Sequence, residues 1–298
     1  MTKFILLAAT ALLVPTAVFA QATTPDGTTT TTTTTTTTDA TVSTTEPVAA
    51  PAPAASEAPA LCTDRPTKAT SACTVPKGMV QIETDLINFT RLSDSGFHAD
   101  TILWTNPTLK FGLGEATDIQ FNIAPYETIR LHGQGLSAST SGVGDLYIRL
   151  KQRLTPSDAK AAFAIVPYIK IPTAKTGIGN RKVEGGLVGT GVFGLDNGFT
   201  LTITPEIDAL LDSDGHGRHA QFVGALNVGK TLSSKLTAYA ELWTAQNRDP
   251  AGHLSQYSAD FALAYLAGPT LQYDVGVNFG LNRVTPDVQA YVGISTRF

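Results

Sequence analysis

The chain has 298 residues, a formal charge of -4 and 42% hydrophobic residues. Mild acidity offers no basic surface for nucleic acid. The mean hydropathy of +0.05 excludes a bundle of membrane-spanning helices but not strands that show lipid only at alternate positions.

Residues 1–20 combine Lys3, an apolar run over 4–13 and the small-residue ending Val18-Phe19-Ala20. That order predicts a secretory signal peptide, with the mature chain starting at Gln21. A transmembrane anchor fits less well, because the apolar run is short and Pro15 follows it. Residues 21–60 are a run of Thr followed by Ala, Pro, Ser and Glu, with no aromatic residue. Such a segment cannot bury enough apolar surface to fold, so it reads as a disordered tail or a cell-wall spacer.

Cys62 and Cys73 are the two cysteines of the chain. An exported protein meets an oxidising compartment, so they are expected to form a disulfide. They lie in residues 61–77, expected to be a periplasmic lead-in to the first strand. A zinc site is a weaker reading, since no His lies nearby.

From residue 78 to 298, segments of period two alternate with turn signals. The predicted strands are 80–89, 101–113, 117–128, 143–154, 161–172, 183–195, 199–211, 220–228, 236–245, 257–266, 271–281 and 285–298. In the eleventh, Leu271, Tyr273, Val275, Val277, Phe279 and Leu281 alternate with Gln272, Asp274, Gly276, Asn278 and Gly280. A helix, with its period of 3.6, would scatter those residues around its surface. Connections at one end are tight, as at Gly114-Glu115, Asp196-Asn197-Gly198 and Ser233-Ser234. At the other end they are longer and polar, over 93–100, 131–141, 173–182, 212–219 and 247–255. Short periplasmic turns opposite long outer loops are the pattern of an all-β, transmembrane, antiparallel up-and-down β-barrel in the outer membrane of a Gram-negative bacterium, here of about twelve strands. Both ends of the barrel, and the disordered N-terminal tail, then lie in the periplasm, and outer-membrane lipid surrounds the wall.

The last strand places Val288, Ala290, Val292, Ile294, Thr296 and Phe298 on one face and Asp287, Gln289, Tyr291, Gly293, Ser295 and Arg297 on the other. A terminal strand ending in Phe resembles the closing strand of bacterial outer-membrane barrels. The resemblance implies that Phe298 is an assembly signal for the barrel-assembly machinery.

Three stretches carry a closer resemblance: Pro66-Thr67 to Val75-Pro76-Lys77-Gly78, Gly142-Val143-Gly144-Asp145-Leu146, and Val166-Pro167-Tyr168-Ile169-Lys170-Ile171-Pro172-Thr173. From about Arg65 to Phe298 the chain resembles the phenol-degradation MetA-pathway family of outer-membrane proteins. Membership implies a transporter or channel, often one taking up small aromatic or other apolar molecules. It supplies no site residues.

On the predicted register a basic wall (Lys110, Arg149, Lys151, Arg153, Lys170) faces an acidic one (Glu83, Asp85, Glu206, Asp208, Glu241, Asp274, Asp287) across the lumen. Asp118 and Asp145 depart from that division. Such walls can orient a polar solute, or pair across a narrow lumen and plug it. Trp104, Tyr126, Tyr147, Tyr168, Tyr239 and Trp243 are predicted to point inward, as a stacking path for aromatic solutes or as lumen packing. Pro107, Pro125, Pro167 and Pro205 interrupt predicted strands on the outward face and remove ladder donors. They mark bulges, or a weakened wall through which an apolar solute leaves sideways.

Loop 212–219 holds Asp212, Asp214, His216 and His219, but meets no metal-binding spacing, so no metal or cofactor is expected. No nucleophile motif is present, and all five His fall in or beside predicted outer loops, which argues against an enzyme. Two functions remain: a channel for a small-molecule solute, and a structural or surface-interaction barrel with a plugged lumen.

Overall fold

The computed structural model describes residues 60–298; the expected signal peptide and nearly all of the Thr-rich tail lie outside the described residues. Residues 80–297 form β1 (Val80–Asp94), β2 (Phe97–Thr105), β3 (Thr108–Gly112), β4 (Thr117–Asn122), β5 (Tyr126–Gly133), β6 (Leu136–Gly142), β7 (Leu146–Arg153), β8 (Ala161–Ile171), β9 (Glu184–Gly194), β10 (Phe199–Leu211), β11 (Arg218–Thr231), β12 (Leu236–Asn247), β13 (Leu254–Gly268), β14 (Leu271–Gly280) and β15 (Val288–Arg297). All ladders between strands are antiparallel, and β15 returns to β1 to close the wall.

The fifteen segments make a closed barrel of twelve staves. β2 with β3, β4 with β5, and β6 with β7 are each one stave broken in the middle. The breaks fall side by side: Ile123 donates its N–H to the Pro107 carbonyl at 2.8 Å, Gly144 to Ala124 at 3.1 Å, and Lys175 to Val143 at 3.0 Å. Two prolines explain the first two breaks, since Pro107 and Pro125 cannot donate to a ladder. Pro167 and Pro205 remain inside β8 and β10, but ladder pairs are missing beside each: β7–β8 skips from Arg149↔Tyr168 to Gln152↔Ile165, and β9–β10 skips from Ile203↔Gly191 to Glu206↔Val188.

The predicted outer loops 93–100 and 131–141 are instead tight hairpins. β1 and β2 meet at Ser95-Gly96, β5 and β6 at Gln134-Gly135, and all four turn residues have φ between 50° and 81°. Two consecutive positive φ values give the hairpin turn whose twist matches that of the strands. Here the strands run on past the apolar band, so hydrophobic alternation ends before the ladder does.

Burial is inside out relative to a soluble domain. Gln81, Glu83, Asp85, Lys110, Asp118, Lys151, Lys170, Asp208, Glu241 and Asp274 are buried, while Phe163, Ile169, Leu187, Ile203, Leu226, Leu242, Phe261, Val275 and Val292 are exposed. An apolar outer band around a polar interior is what lipid requires of a barrel.

Candidate functional site

The lumen is occupied by the chain's own residues 62–75. Cys62 and Cys73 are disulfide-bonded, with Cα atoms 6.4 Å apart, and the loop they close sits against the inner wall. The segment expected to lead in from the periplasm therefore runs through the barrel interior.

Each charge of the loop meets its opposite on the wall. Asp64 accepts from Lys110 Nζ at 2.5 Å and Lys151 Nζ at 2.6 Å. Across the loop, Arg65 donates to Asp85 at 2.6 Å and to both oxygens of Asp274 at 2.6 and 3.0 Å. Lys68 Nζ lies 3.0 Å from Asp260, donates to Ser258 Oγ at 2.8 Å and stands 4.3 Å above the Trp243 ring. Backbone contacts complete the seat. Lys68 and Ala69 give their N–H groups to Glu241, Val75 gives its own to Asp118, and the Tyr291 hydroxyl donates to the Pro66 carbonyl at 2.6 Å.

These pairings set the loop's charge states. Burial opposes the ionised Asp64 carboxyl, but Lys110 and Lys151 hold it well below the usual carboxylate range. Burial likewise opposes the charge on Arg65, and Asp85 and Asp274 overcome it, raising its pKa above the ordinary arginine value. For Lys68 burial prevails over Asp260 and Glu241 and pushes the ammonium below its ordinary value.

The basic wall is Lys110, Arg149 and Lys151 around Asp64. Lys110 also pairs with Glu83 at 2.6 Å, and Arg149 lies over the Tyr147 and Tyr168 rings at 5.7 and 5.9 Å. A cavity of about 100 Å³ remains between loop and wall, lined by Arg65, Glu83, Lys110, Gln120 and Arg149 among others. Lys170 stands apart from the loop, buried between Asp145 at 3.2 Å and Glu184 at 2.6 Å, while Arg153 is tied to the Glu115 carbonyl beside a tight turn. Of the acidic wall, Glu83, Asp85, Glu241 and Asp274 hold the loop, Glu83 by accepting the Asp64 N–H at 3.0 Å. Asp208 accepts from the Tyr168 hydroxyl at 2.6 Å, with Glu206 two residues away on the same strand.

Three expected lumen residues lie elsewhere. Asp287 is exposed in the connection before β15, because the ladder begins only at Val288. Trp104 and Tyr126 are 47% and 51% exposed and face outward. The register shift between Leu103 and Thr105 opposite Tyr126, together with the breaks at 106–107 and 123–125, reverses the inside–outside parity relative to Lys110 and Gln120. Tyr147, Tyr168, Tyr239 and Trp243 are buried or half-buried on the inner wall.

Asp64, Arg65, Lys68, Glu184, Asp260 and Tyr291 were not singled out by sequence. One signal was available: three charges within a short Cys-bounded loop that is rich in polar residues. Asp118 and Asp145, which broke the predicted charge division, each accept a backbone N–H, from Val75 and Ala174, and Asp145 also pairs with Lys170. In loop 212–219 the His219 Nδ1 lies 2.8 Å from Asp212. Among the described residues no cluster of three metal-binding side chains is suited to a metal ion.

Residues 63–298 match the family described as "Putative MetA-pathway of phenol degradation". No curated protein sequence matches the chain. Among solved structures, the COG4313 outer membrane channel from Pseudomonas putida F1 is similar with a TM-score of 0.62 at 14% identity, over 76% of this chain and 97% of that one. The NanC porin (TM-score 0.49, 10% identity, 73% and 98% coverage) and the translocator domain of the autotransporter NalP from Neisseria meningitidis (0.46, 15%, 75% and 90%) are also similar.

Proposed function

The chain belongs to this phenol-degradation family, and from that premise we propose that it is a non-enzymatic outer-membrane channel for small aromatic or apolar solutes, closed along its axis by its own 62–73 loop. The observation that carries this reading is that one covalently closed loop forms buried ion pairs with residues of both charged walls. A structural barrel would need no removable charge pairs to fill its lumen, since apolar packing is at least as stable as buried ion pairs. Ion pairs to a loop can be exchanged for water when the loop moves.

The reading includes export directed by residues 1–20, a periplasmic tail over 21–60, and tight turns on the periplasmic side. It also includes a sideways route. On the long-loop half of the barrel the inner face carries Leu92, Ala99, Leu103 and Ile129. There, among the described residues, β6 pairs with β5 alone, and its other edge meets loop 172–183 through Lys175. An apolar solute would leave sideways where the wall is interrupted at Pro125 and beside Pro167.

The test is uptake into proteoliposomes of a phenol and of a sugar of similar size, by the native chain and by Cys62→Ser/Cys73→Ser, alongside single-channel recording. Phenol uptake by the native chain, with larger conductance in the double variant, is the expected result. Failure of both proteins to pass solute or current would instead leave the structural, plugged barrel.

A further inference from the structure

The outward face of β1, β2, β5 and β6 changes character along its strands. Next to the stave breaks it presents Phe89, Ile102, Trp104 and Tyr126. Farther toward the long connections, Arg91, Asp100 and Arg130 stand side by side in register across three strands, and the next row holds Ser93, His98 and His132. The pairing of Arg91 with Val288, and of Val288 with the exposed Phe279, puts this row on the outside of the barrel.

Arg91 grips Asp100 through two hydrogen bonds of 2.7 and 2.8 Å. Arg130 is exposed and makes no hydrogen bond or ion pair among the described residues. The His98 and His132 rings lie 5.1 Å apart, and His98 Nδ1 is 2.9 Å from Ser93 Oγ. One carboxylate thus stands between two guanidiniums and is taken by Arg91, and the row keeps an excess of positive charge with two imidazoles above it. The further acids on this side are the exposed Asp94 at the end of β1 and the exposed Asp287 in the connection before β15, which also carries the exposed Arg283.

Residues two apart on a strand are separated by about 7 Å, so this row stands one step beyond Phe89 and Ile102 and two steps beyond Trp104 and Tyr126. Tryptophan and tyrosine collect at the membrane interface, and lipid phosphates lie just outside them. A guanidinium fork matches phosphate oxygens better than any other side chain. We infer that Arg91 and Arg130, with His98 and His132, bind the phosphate of an outer-leaflet lipid, a saccharolipid phosphorylated on its sugars, while Phe89 and Ile102 pack its first methylenes and Trp104 and Tyr126 the acyl chains below them. The inference rests on the reading that the long-connection end faces outward.

Native mass spectrometry of the purified full chain tests it, with diphosphoryl lipid A, dephosphorylated lipid A, phosphatidylglycerol and inorganic phosphate as separate probes. Diphosphoryl lipid A should stay bound at collision energies that strip the other three. Arg130→Ala/His132→Ala should lower its retention at least tenfold, Arg130→Lys should lower it partially, and Lys235→Ala on the opposite rim should not. Equal retention by the double variant overturns the site. So does retention of inorganic phosphate as strong as that of the lipid, whereas preference for phosphatidylglycerol overturns the outward orientation. Heat-modified gel mobility confirms that each variant is a folded barrel. Solute passage is measured separately on the same proteins, so failure of the channel reading leaves the lipid result standing.

Discussion

Arg65 lies directly over Gly293, in the space a side chain at that position would fill. On the same rung Gly293 pairs with Asp85 on one side and Asp274 on the other, and these are the two carboxylates that clamp Arg65. The closing strand therefore leaves a gap in its inner face, and the loop's guanidinium fills it. A Cβ there would meet the guanidinium well inside van der Waals contact, so any other residue requires Arg65 to move.

Gly293→Val should accordingly expel Arg65 while keeping the barrel. Losing a buried, doubly paired guanidinium costs about 3–5 kcal/mol of loop docking, enough to populate the undocked state. Single-channel conductance should rise severalfold, with heat-modifiable mobility unchanged. Native conductance in a correctly folded Gly293→Val barrel would mean that the loop does not close the axial path.

Asp64 sets a pH dependence of definite sign. Its pKa in the docked loop is depressed below the ordinary 3.8 by Lys110 and Lys151. The docking it contributes is thus fully present above about 3.8 and is lost as pH falls from there toward the depressed value. Between pH 7 and 5 this contribution should not change, so an increase in current traceable to Asp64 should begin only below pH 4. Asp64→Asn should show the larger current already at pH 7, and a current unchanged by that substitution would exclude Asp64 as a latch.

The prolines offer a test of the sideways route. Pro125 separates β4 from β5, and Pro167 lies where the β7–β8 ladder loses pairs. Replacing both with Val restores two N–H donors and should close the wall, lowering phenol uptake severalfold while leaving ion conductance as it is. Unaltered phenol uptake would sink the lateral path and leave the axis as the only route.

Phe298 is 72% exposed, and its backbone exchanges two hydrogen bonds with Val80, at 2.8 and 3.1 Å. It closes the seam between the last strand and the first. Deleting it removes both bonds, about 1–3 kcal/mol in sum, together with the terminal aromatic group. Export should continue while the amount of heat-modifiable barrel in outer-membrane fractions falls; normal insertion of the truncated chain would show that the terminal Phe is dispensable for assembly.

Much of this architecture is local and therefore legible in sequence. Alternation in 199–211 and 271–281 needs only neighbouring residues to declare itself, because strand side chains point to opposite faces at every step. From it came the twelve staves, the lipid-facing apolar set and most of the polar inner wall; the disulfide followed from the expectation of export and the pair of cysteines. Loop ends were less legible where β1, β2, β5 and β6 outrun the apolar band, since a strand that is polar on its outer face carries no hydrophobic period.

What tertiary structure alone decided falls into two kinds. The first is parity: a register shift near Thr105 turns Trp104 and Tyr126 outward, because one extra residue flips every side chain beyond it. The second is occupancy. Arg65 and Asp274 are 209 residues apart, and nothing in either neighbourhood announces the other. Charged walls by themselves are compatible with an open pore or with a filled one. Only the closed wall, which brings β1, β14 and β15 together around Gly293, determines that the counter-charges come from the chain's own disulfide loop.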